Sequence, residues 1–527
     1  MTESEQHAVS CFSGLVIRHP SFQHAYNRIL DVIEFNKINQ APEPQSVLIL
    51  AESGCGKTTL FEDLQNNLPG RHEVQEGIDM VTKIPFFSSA IPTDATPNSM
   101  AQQLFASMGV GDRNKHAAEQ RIKNALKKAG TQAIFYDELN NIAALDSVWL
   151  QPVMVPKWVR GTFEYANIES SPGNTINVNV CSLGGSIATP TGGIRANVVE
   201  VKGIEDLDSL GDKNINGKIV FFNRPMQPDL VNTFKAYEEG LSQQYIGVAH
   251  AAKYGAVAVL YRSINLRLDD HPHSGEMSYG SLPISKRIPA ASISTNDSEL
   301  LSSMISLNPL LRFFLRQDCK NYPEVKSYNV LGQIKGTEFP DKIILVGAHL
   351  DSWDLGEGAH DDGAGVVQSM EAIRLLNIIN YKPKNTLRVV LFINEENGGR
   401  GAKVYSESVS KKRKKHLMVL ESDSGAFTPR GFVFDTNDKY FERILKWKPF
   451  FEPYYIHLFR RGEIGTDLRL LKKDALILSG LKTDSQRYFI HHHSELDTFE
   501  TINKRELELG AATMAALILL ADSIGLE

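Results

Sequence analysis

Between His349 and His493 the chain carries five short polar clusters: His349-x-Asp351, Asp361-Asp362, Glu395-Glu396, Asp423, and the run His491-His492-His493. Imidazole nitrogen and carboxylate oxygen are donors that zinc accepts, and a catalytic zinc keeps one position open for water. Two ions a few ångströms apart need a carboxylate that can bridge them and separate terminal donors for each. Two histidines with four or five carboxylates fill both sets and leave a bridge. Taken singly, each cluster has an ordinary reading. An HxD is usually a surface turn or a satisfied core histidine, an EE pair a solvated helix start, and an ESD a turn or cap. The triple histidine reads as ordinary loop polarity.

What must position these residues is a sheet. After Tyr328, strand and helix signals alternate as in a mostly parallel sheet. Residues 342–348, 386–393, 417–420 and 474–479 read as strands, 363–379 as a helix, and 505–524 as a closing amphipathic helix. His349 and Asp351 follow the first strand, and Asp361 and Asp362 precede the helix. Glu395 and Glu396 follow the second strand, Asp423 follows the third, and His493 sits in a loop after a late strand. Ligands of open α/β sheets bind beyond the carboxyl ends of the strands. Five clusters at successive strand ends are hard to obtain by chance.

The bulk properties allow this chemistry and exclude others. A chain of 527 residues, 42% hydrophobic and 22% charged, is long enough for two to four globular domains. A net charge of −6 gives no global electrostatic reason for nucleic acid or an acidic membrane as main partner. Cys11, Cys55, Cys181 and Cys319 are far apart, which argues against a disulfide framework and a cysteine-ligated zinc. The start has no basic segment followed by an apolar core, and the apolar run at 514–521 is soon broken by Asp522. No secretory signal or membrane span is visible, so the chain reads as cytoplasmic with no membrane partner.

The front, 1–143, has a different texture. An apolar strand at 46–50 runs into AESGCGKTTL (51–60), and a second strand at 133–136 ends in Asp137-Glu138. Backbone N–H groups around Gly54 and Gly56, at a helix N-terminus, would cradle phosphates. Lys57 would reach the outer phosphates, and Thr58 and Asp137 would hold magnesium, with Glu138 placed to polarise a water. Together with IRHPSF, IPTDATPNSMAQQLFASMG and IFYDELNN, this segment resembles the TniB-type ATP-binding subunit of bacterial transposons, within the AAA+ class. The resemblance implies ATP and magnesium, with nucleic acid met only indirectly through partners. Ala51 stands where the first glycine of the loop is usual. The family's polar sensor, arginine finger and lid have no counterpart, so binding without productive hydrolysis is expected of a truncated P-loop segment.

From about Leu145 the chain is rich in strand signals. Residues 196–325, with GKIVFFNRP, AAKYGAVAVLYRS and IPAASISTND, resemble the protease-associated domain inserted in several zinc exopeptidases. No chemistry is assigned to it, and His271-Pro272-His273 reads as an exposed loop.

The motifs GAHLDSWDLGEGAHDDGAG, FINEENGGRGA, ESDSGAF and HHHSELDTFE resemble the dinuclear zinc exopeptidases of clan MH, in the carboxypeptidase Q-like branch. The resemblance runs from about Val148 to the C-terminus. It implies His349 and Asp423 as terminal ligands of one zinc, Glu396 and His493 of the other, and Asp361 as the bridge. His493 is chosen because the ligand immediately precedes a Ser/Thr-x-x-Asp-Thr stretch, here 494–498. Asp351 is expected on the far ring nitrogen of His349, fixing its tautomer, and Glu395 is the expected general base. Substrates would be dipeptides or short peptides with free termini. Asp467 is a candidate for fixing the substrate amino group or supporting the pocket, and a homodimer is a further expectation.

The expected fold is thus α/β, a phosphorylase/hydrolase-like mostly parallel sheet with a β-rich protease-associated insert, preceded by a partial P-loop α/β domain. Its parts are 1–143, the truncated AAA+ segment; 145–195, the first part of the peptidase domain; 196–325, the insert; and 326–527, the catalytic domain. The family's opening helices have no counterpart, so the sheet is expected to lack cover on one side. The competing functions are an ATP-binding accessory of transposition and a catalytically inactive chimera joined near 140–150.

Overall fold

The structure, a computed structural model, describes residues 145–525 except 172, 413–414 and 463, together with the backbone of four earlier strands. The chain divides into two compact units, 1–149 and 150–527. In the first, β1 (His72–Glu76) and β2 (Asp79–Lys83) pair antiparallel, and β3 (Phe86–Ala90) runs parallel to β4 (Ala133–Asp137). The strand expected at 133–136 is therefore present, with Asp137 as its last residue. Gly54, Gly56, Lys57, Thr58, Glu138 and the strand expected at 46–50 lie outside the described residues.

The second unit contains two eight-stranded sheets. Strand β5 (Ser147–Val159) spans the boundary between the units. One sheet is built from β6 (Glu164–Ser171), β7 (Asn174–Val178), β8 (Val180–Ser182), β9 (Ile194–Val201), β10 (Ile219–Phe222), β11 (Ala258–Arg262), β12 (Ala290–Ile293) and β13 (Arg312–Gln317), in the order β7-β6-β13-β9-β10-β11-β12-β8. Helices α1 (Thr233–Lys253) and α2 (Thr295–Leu307) belong to this lobe. Their first turns are capped by Asn232, accepting from Lys235 N–H, and by Ser294, accepting from Asp297 N–H.

Sheet membership corrects the expected partition. Strands β6, β7 and β8 pair within the inserted lobe, for example Ala166 opposite Leu315, so the lobe begins near 164 and not at 196. The composition of 145–182 is strand-like throughout, and only the pairing register separates its two halves.

The other sheet holds β14 (Lys320–Ile334), β15 (Phe339–His349), β16 (Asn385–Phe392), β17 (Lys415–Glu421), β18 (Pro429–Asp435), β19 (Leu458–Arg461) and β20 (Ala475–Thr483), in the order β19-β18-β20-β17-β15-β16-β14-β5. Strands β16, β15, β17 and β20 are mutually parallel, as the alternating pattern predicts. Side chains alternate faces along a strand, yet every residue of β16 is buried. Both faces of the sheet are therefore covered there, which is why NTLRVVLF reads as a continuous run. Helices α3 (Ala364–Ile378) and α5 (Lys504–Ser523) pack on each other and against the sheet. Their contact is close at Gly510, where a Cβ would come within 2.2 Å of Gln368 Nε2. Helix α4 (Arg400–Lys412) buries Ala402, Tyr405 and Val409 at helical spacing, with Tyr405 against Phe392 and His416. Among the described residues no helix is long and apolar enough to cross a membrane.

A buried carboxylate ties α5 to the start of β16. Asp522 accepts hydrogen bonds from the Tyr381 hydroxyl (2.7 Å), Lys384 N–H (2.8 Å), Asn385 N–H (2.9 Å) and the Asn385 amide (2.7 Å). Removing it strands these donors in the interior, so Asp522→Ala should cost about 2–4 kcal/mol. The urea midpoint of the second unit's transition measures this, and an unchanged midpoint would contradict it.

Candidate active site

The parallel register aligns the carboxyl ends of three strands. His349 stands opposite Phe392, and Gly347 opposite Glu421. His349 is the last residue of β15, Glu395 and Glu396 follow β16 after Asn394 (φ 67°), and Asp423 follows β17. Asp361 lies in the turn before α3, and His493 (φ 62°) follows the short helix Tyr488–His491.

These residues converge on Asp361. One of its oxygens, Oδ1, lies 3.2 Å from His349 Nε2, and that nitrogen is 3.8 Å from Asp423 Oδ1. The other, Oδ2, lies 3.2 Å from His493 Nε2, which is 3.0 Å from Glu396 Oε2. His492 Nε2 also reaches Oδ2, at 3.4 Å, but not Glu396. Both Asp361 Oδ2 and Glu396 Oε1 are buried without an aligned hydrogen-bond donor. At Asp361 Oδ2 nitrogen and oxygen thus stand close without being aimed at one another, as donors converging on a shared cation do. His349, Asp361 and Asp423 form one such group, and Asp361, His492 and His493 a second.

The shell around them is built from backbone and carboxylates. Asp497, itself buried, accepts from His360 N–H (2.7 Å) and Asp361 N–H (3.0 Å). Asp362 accepts from His349 N–H (3.1 Å) and Gly365 N–H (3.0 Å). Residue 365 must be glycine, because a Cβ would sit 2.0 Å from Ser422 O. Asp351 departs from expectation. His349 Nδ1 meets the backbone carbonyl of Asp351 at 2.8 Å, while the Asp351 carboxylate accepts from Glu395 N–H (3.0 Å) and Glu396 N–H (3.2 Å). The tautomer of His349 is set by main chain, and the Asp351 side chain shapes the Glu395-Glu396 turn instead. A two-residue spacing permits either arrangement, and only the turn geometry decides.

Electrostatics follow from crowding acids in a buried space. Burial pushes Glu395 up to about 7, with the charges of Asp423, Asp361 and Asp351 adding to it against His349. Glu396 reaches about 8, chiefly through burial. Burial alone would lower His349 and His493, but facing carboxylates outweigh it and raise both, His493 to about 10. His492 is pushed well down by burial and by the charge of His493.

A cavity of about 1600 Å³ opens onto this site. Glu421, Asp423 and Lys482 line it, and helix α1 of the inserted lobe supplies Phe234 and Tyr237. The lobe, to which no chemistry was assigned, therefore builds one wall. Asp467 is buried beneath that surface, and its N–H donates to Glu421 Oε1 at 3.1 Å. Glu421, not Asp467, faces the cavity. His273 is also not in an exposed loop: it is buried beside Asn265, and the next residue, Ser274, donates its N–H to His493 O at 2.8 Å. Glu421 was legible as the first letter of ESD; nothing in the residue pattern marks Phe234, Tyr237 or Lys482.

A histidine–carboxylate donor set at the strand ends of such a sheet, opening on a wide cavity, is suited to a metal-dependent hydrolase. The model of peptidase family M28 matches residues 329–518, and that of the bacterial TniB protein matches 14–148. Mouse carboxypeptidase Q is 34% identical over 386 residues, covering 73% of this chain and 78% of the mouse protein. The Xenopus laevis carboxypeptidase Q is 34% identical over 400 residues, 76% of this chain and 81% of the frog protein. The structure of a peptidase M28 precursor from Shewanella amazonensis superposes with a TM-score of 0.69 at 30% identity, over 82% of this chain and 94% of that one. The chain belongs to peptidase family M28 and is a metallopeptidase, of the exopeptidase kind that its relatives' names describe.

Asp497 does not line the large cavity but holds the backbone of Asp361. Asp497→Ala should weaken zinc affinity by about 10- to 100-fold, as loss of such outer support does. Competition with a chromogenic chelator reads this directly, and unchanged affinity would show that the turn holds itself.

Proposed function

We propose that this metallopeptidase is a zinc-dependent exopeptidase that hydrolyses dipeptides or short peptides at a two-ion site. The observation that carries the reading is Asp361, whose two oxygens face separate donor sets, His349 with Asp423 and His493 with Glu396. His349, Asp423 and Asp361 would hold one zinc, and Glu396, His493 and Asp361 the other, a nitrogen and oxygen set suited to that metal. When bound, the ions supply Lewis acidity to a water and to the scissile carbonyl.

The chain's own residues carry the proton. Glu395 takes it from the attacking water as the C–O bond forms, and delivers it to the amine nitrogen as the C–N bond breaks. Burial favours the protonated form of Glu395, the form that delivers the proton to the amine. Asp351 holds the Glu395-Glu396 turn. The carboxypeptidase Q relatives support peptide substrates with free ends, and the lobe's own sheet with α1 and α2 fits a protease-associated insert. A homodimer is part of the reading.

The TniB match over 14–148 supports a second, separate reading for the front segment, namely ATP and magnesium binding without turnover through Gly54, Gly56, Lys57, Thr58, Asp137 and Glu138. Any link to nucleic acid would be through partners. Lys57→Ala should abolish binding of a fluorescent ATP analogue while peptidase activity stays unchanged. Retained nucleotide binding would refute this reading.

For the peptidase, stripping metal with a chelator should abolish dipeptide hydrolysis, and zinc should restore it. Glu395→Gln should keep two zinc ions per chain by elemental analysis yet lose about 10²–10⁴-fold in kcat, the range for a lost general base. A variant that keeps most of its turnover would assign the proton transfer elsewhere.

A further inference from the structure

The cavity wall contains a cation without a matching anion. Lys482 lies on β20, two residues beyond Gly480, the register partner of Glu421 at the end of β17. It lines the same cavity as His349, Glu395 and Asp423. Its ammonium stands over the ring of Phe234 from α1, 5.1 Å from the centroid. Among the described residues no carboxylate forms an ion pair with it; Asp423, Glu421 and Glu238 act on it only through space. Other cations of the wall are differently placed: Arg430 is paired with Asp484 at 2.9 Å and Arg461 with Asp438 at 2.5 Å, while Lys235, Arg460 and Arg469 are exposed to water.

A half-buried ammonium without an anion is costly, and burial lowers its pKa against the pull of the nearby acids. An anion that arrives with the substrate removes that cost. Peptide side chains carry no obligatory charge, whereas an unblocked peptide always ends in a carboxylate. The acids Glu395, Glu421 and Asp423 would repel that group at their end of the wall, and Lys482 is the cation set among them there. Phe234 holds the ammonium by its ring face without neutralising it, and leaves its N–H donors free to turn to the ligand.

We infer that Lys482, steadied by Phe234, anchors the free α-carboxylate of the substrate and so makes the cavity selective for short peptides that end within it. This rests on the exopeptidase reading above and adds to it a residue that sets specificity.

The test uses the zinc-loaded full chain and a panel of dipeptides, each paired with its C-terminal amide. Wild type should prefer the free acids. Lys482→Met should lower kcat/KM for the acids by about 10- to 100-fold, mainly through KM, as expected for a lost charge-assisted hydrogen bond. The amides should change less than about threefold, a change too small to reflect a lost anchor, and Lys482→Arg should keep most of the preference. Equal losses on acid and amide would mean that Lys482 merely balances Glu421 and Asp423, and would overturn the inference. So would a wild type indifferent to the amide. Calorimetry with N-acetyl-leucine and N-acetyl-leucinamide needs no turnover. If no dipeptide is cleaved, the exopeptidase reading fails while this measurement still decides the anchor. Selective loss of the acid's binding in Lys482→Met supports it, and equal binding of both probes by wild type sinks it.

Discussion

The structure turns on one shared carboxylate. Asp361 stands between two histidines, each 3.2 Å from a different one of its oxygens, with Asp423 and Glu396 completing the flanks. Bringing this many acids into a buried space is unfavourable by itself, and the raised values of Glu395, Glu396 and Glu421 record that strain on the charge balance. Cations bound between the donors would reverse it. The surrounding architecture serves to hold the carboxylate in place. Asp497 grips the backbone of its turn, Asp362 fastens that turn to the end of β15, and the absence of a Cβ at Gly365 lets α3 begin against Ser422.

Much of this was legible because a parallel sheet converts sequence order into spatial order. Residues that follow separate strands are distant in the chain but neighbours in the crevice, so His349, Glu395, Glu396 and Asp423 could be grouped from strand signals alone. Asp361 follows for a related reason, since it sits where α3 returns toward the same edge. What the pattern could not carry were choices made by main-chain geometry. The Asp351 side chain and the Asp351 carbonyl both lie within reach of His349, and the turn selects the carbonyl while giving the side chain to the next strand's loop. The boundary of the inserted lobe failed for the same cause: a strand at 164–171 has no residue that says which sheet it will join.

The other illegible part is the cavity wall. Phe234 and Tyr237 belong to an amphipathic helix in a lobe with its own sheet, and their neighbours in space, Tyr488, Phe489 and His492, lie some two hundred and fifty positions away. No local periodicity links such residues. They meet because the lobe is fastened to the loop that follows β15 and to the segment 485–495. Arg160, at the exit from β5, donates to Asp354 in that loop (2.7 Å) and to the Ser182 carbonyl in the lobe (2.6 Å).

That fastening makes the lobe part of the active site's geometry. Trp353 packs so tightly on Gly184 of the lobe that a Cβ there would lie 1.8 Å from its ring, and the same ring contacts His493 edge-on at a centroid distance of 6.0 Å. On the other side of His493, Ser274 of the lobe donates to its carbonyl. A histidine at φ 62° is in a conformation that non-glycine residues seldom keep without support. Here the support comes from Ser274 of the lobe and from Trp353, which is itself wedged against the lobe. The lobe thus positions a donor and, through α1, walls the cavity beside it, so a shift of the lobe would disturb the donor set and the substrate wall together.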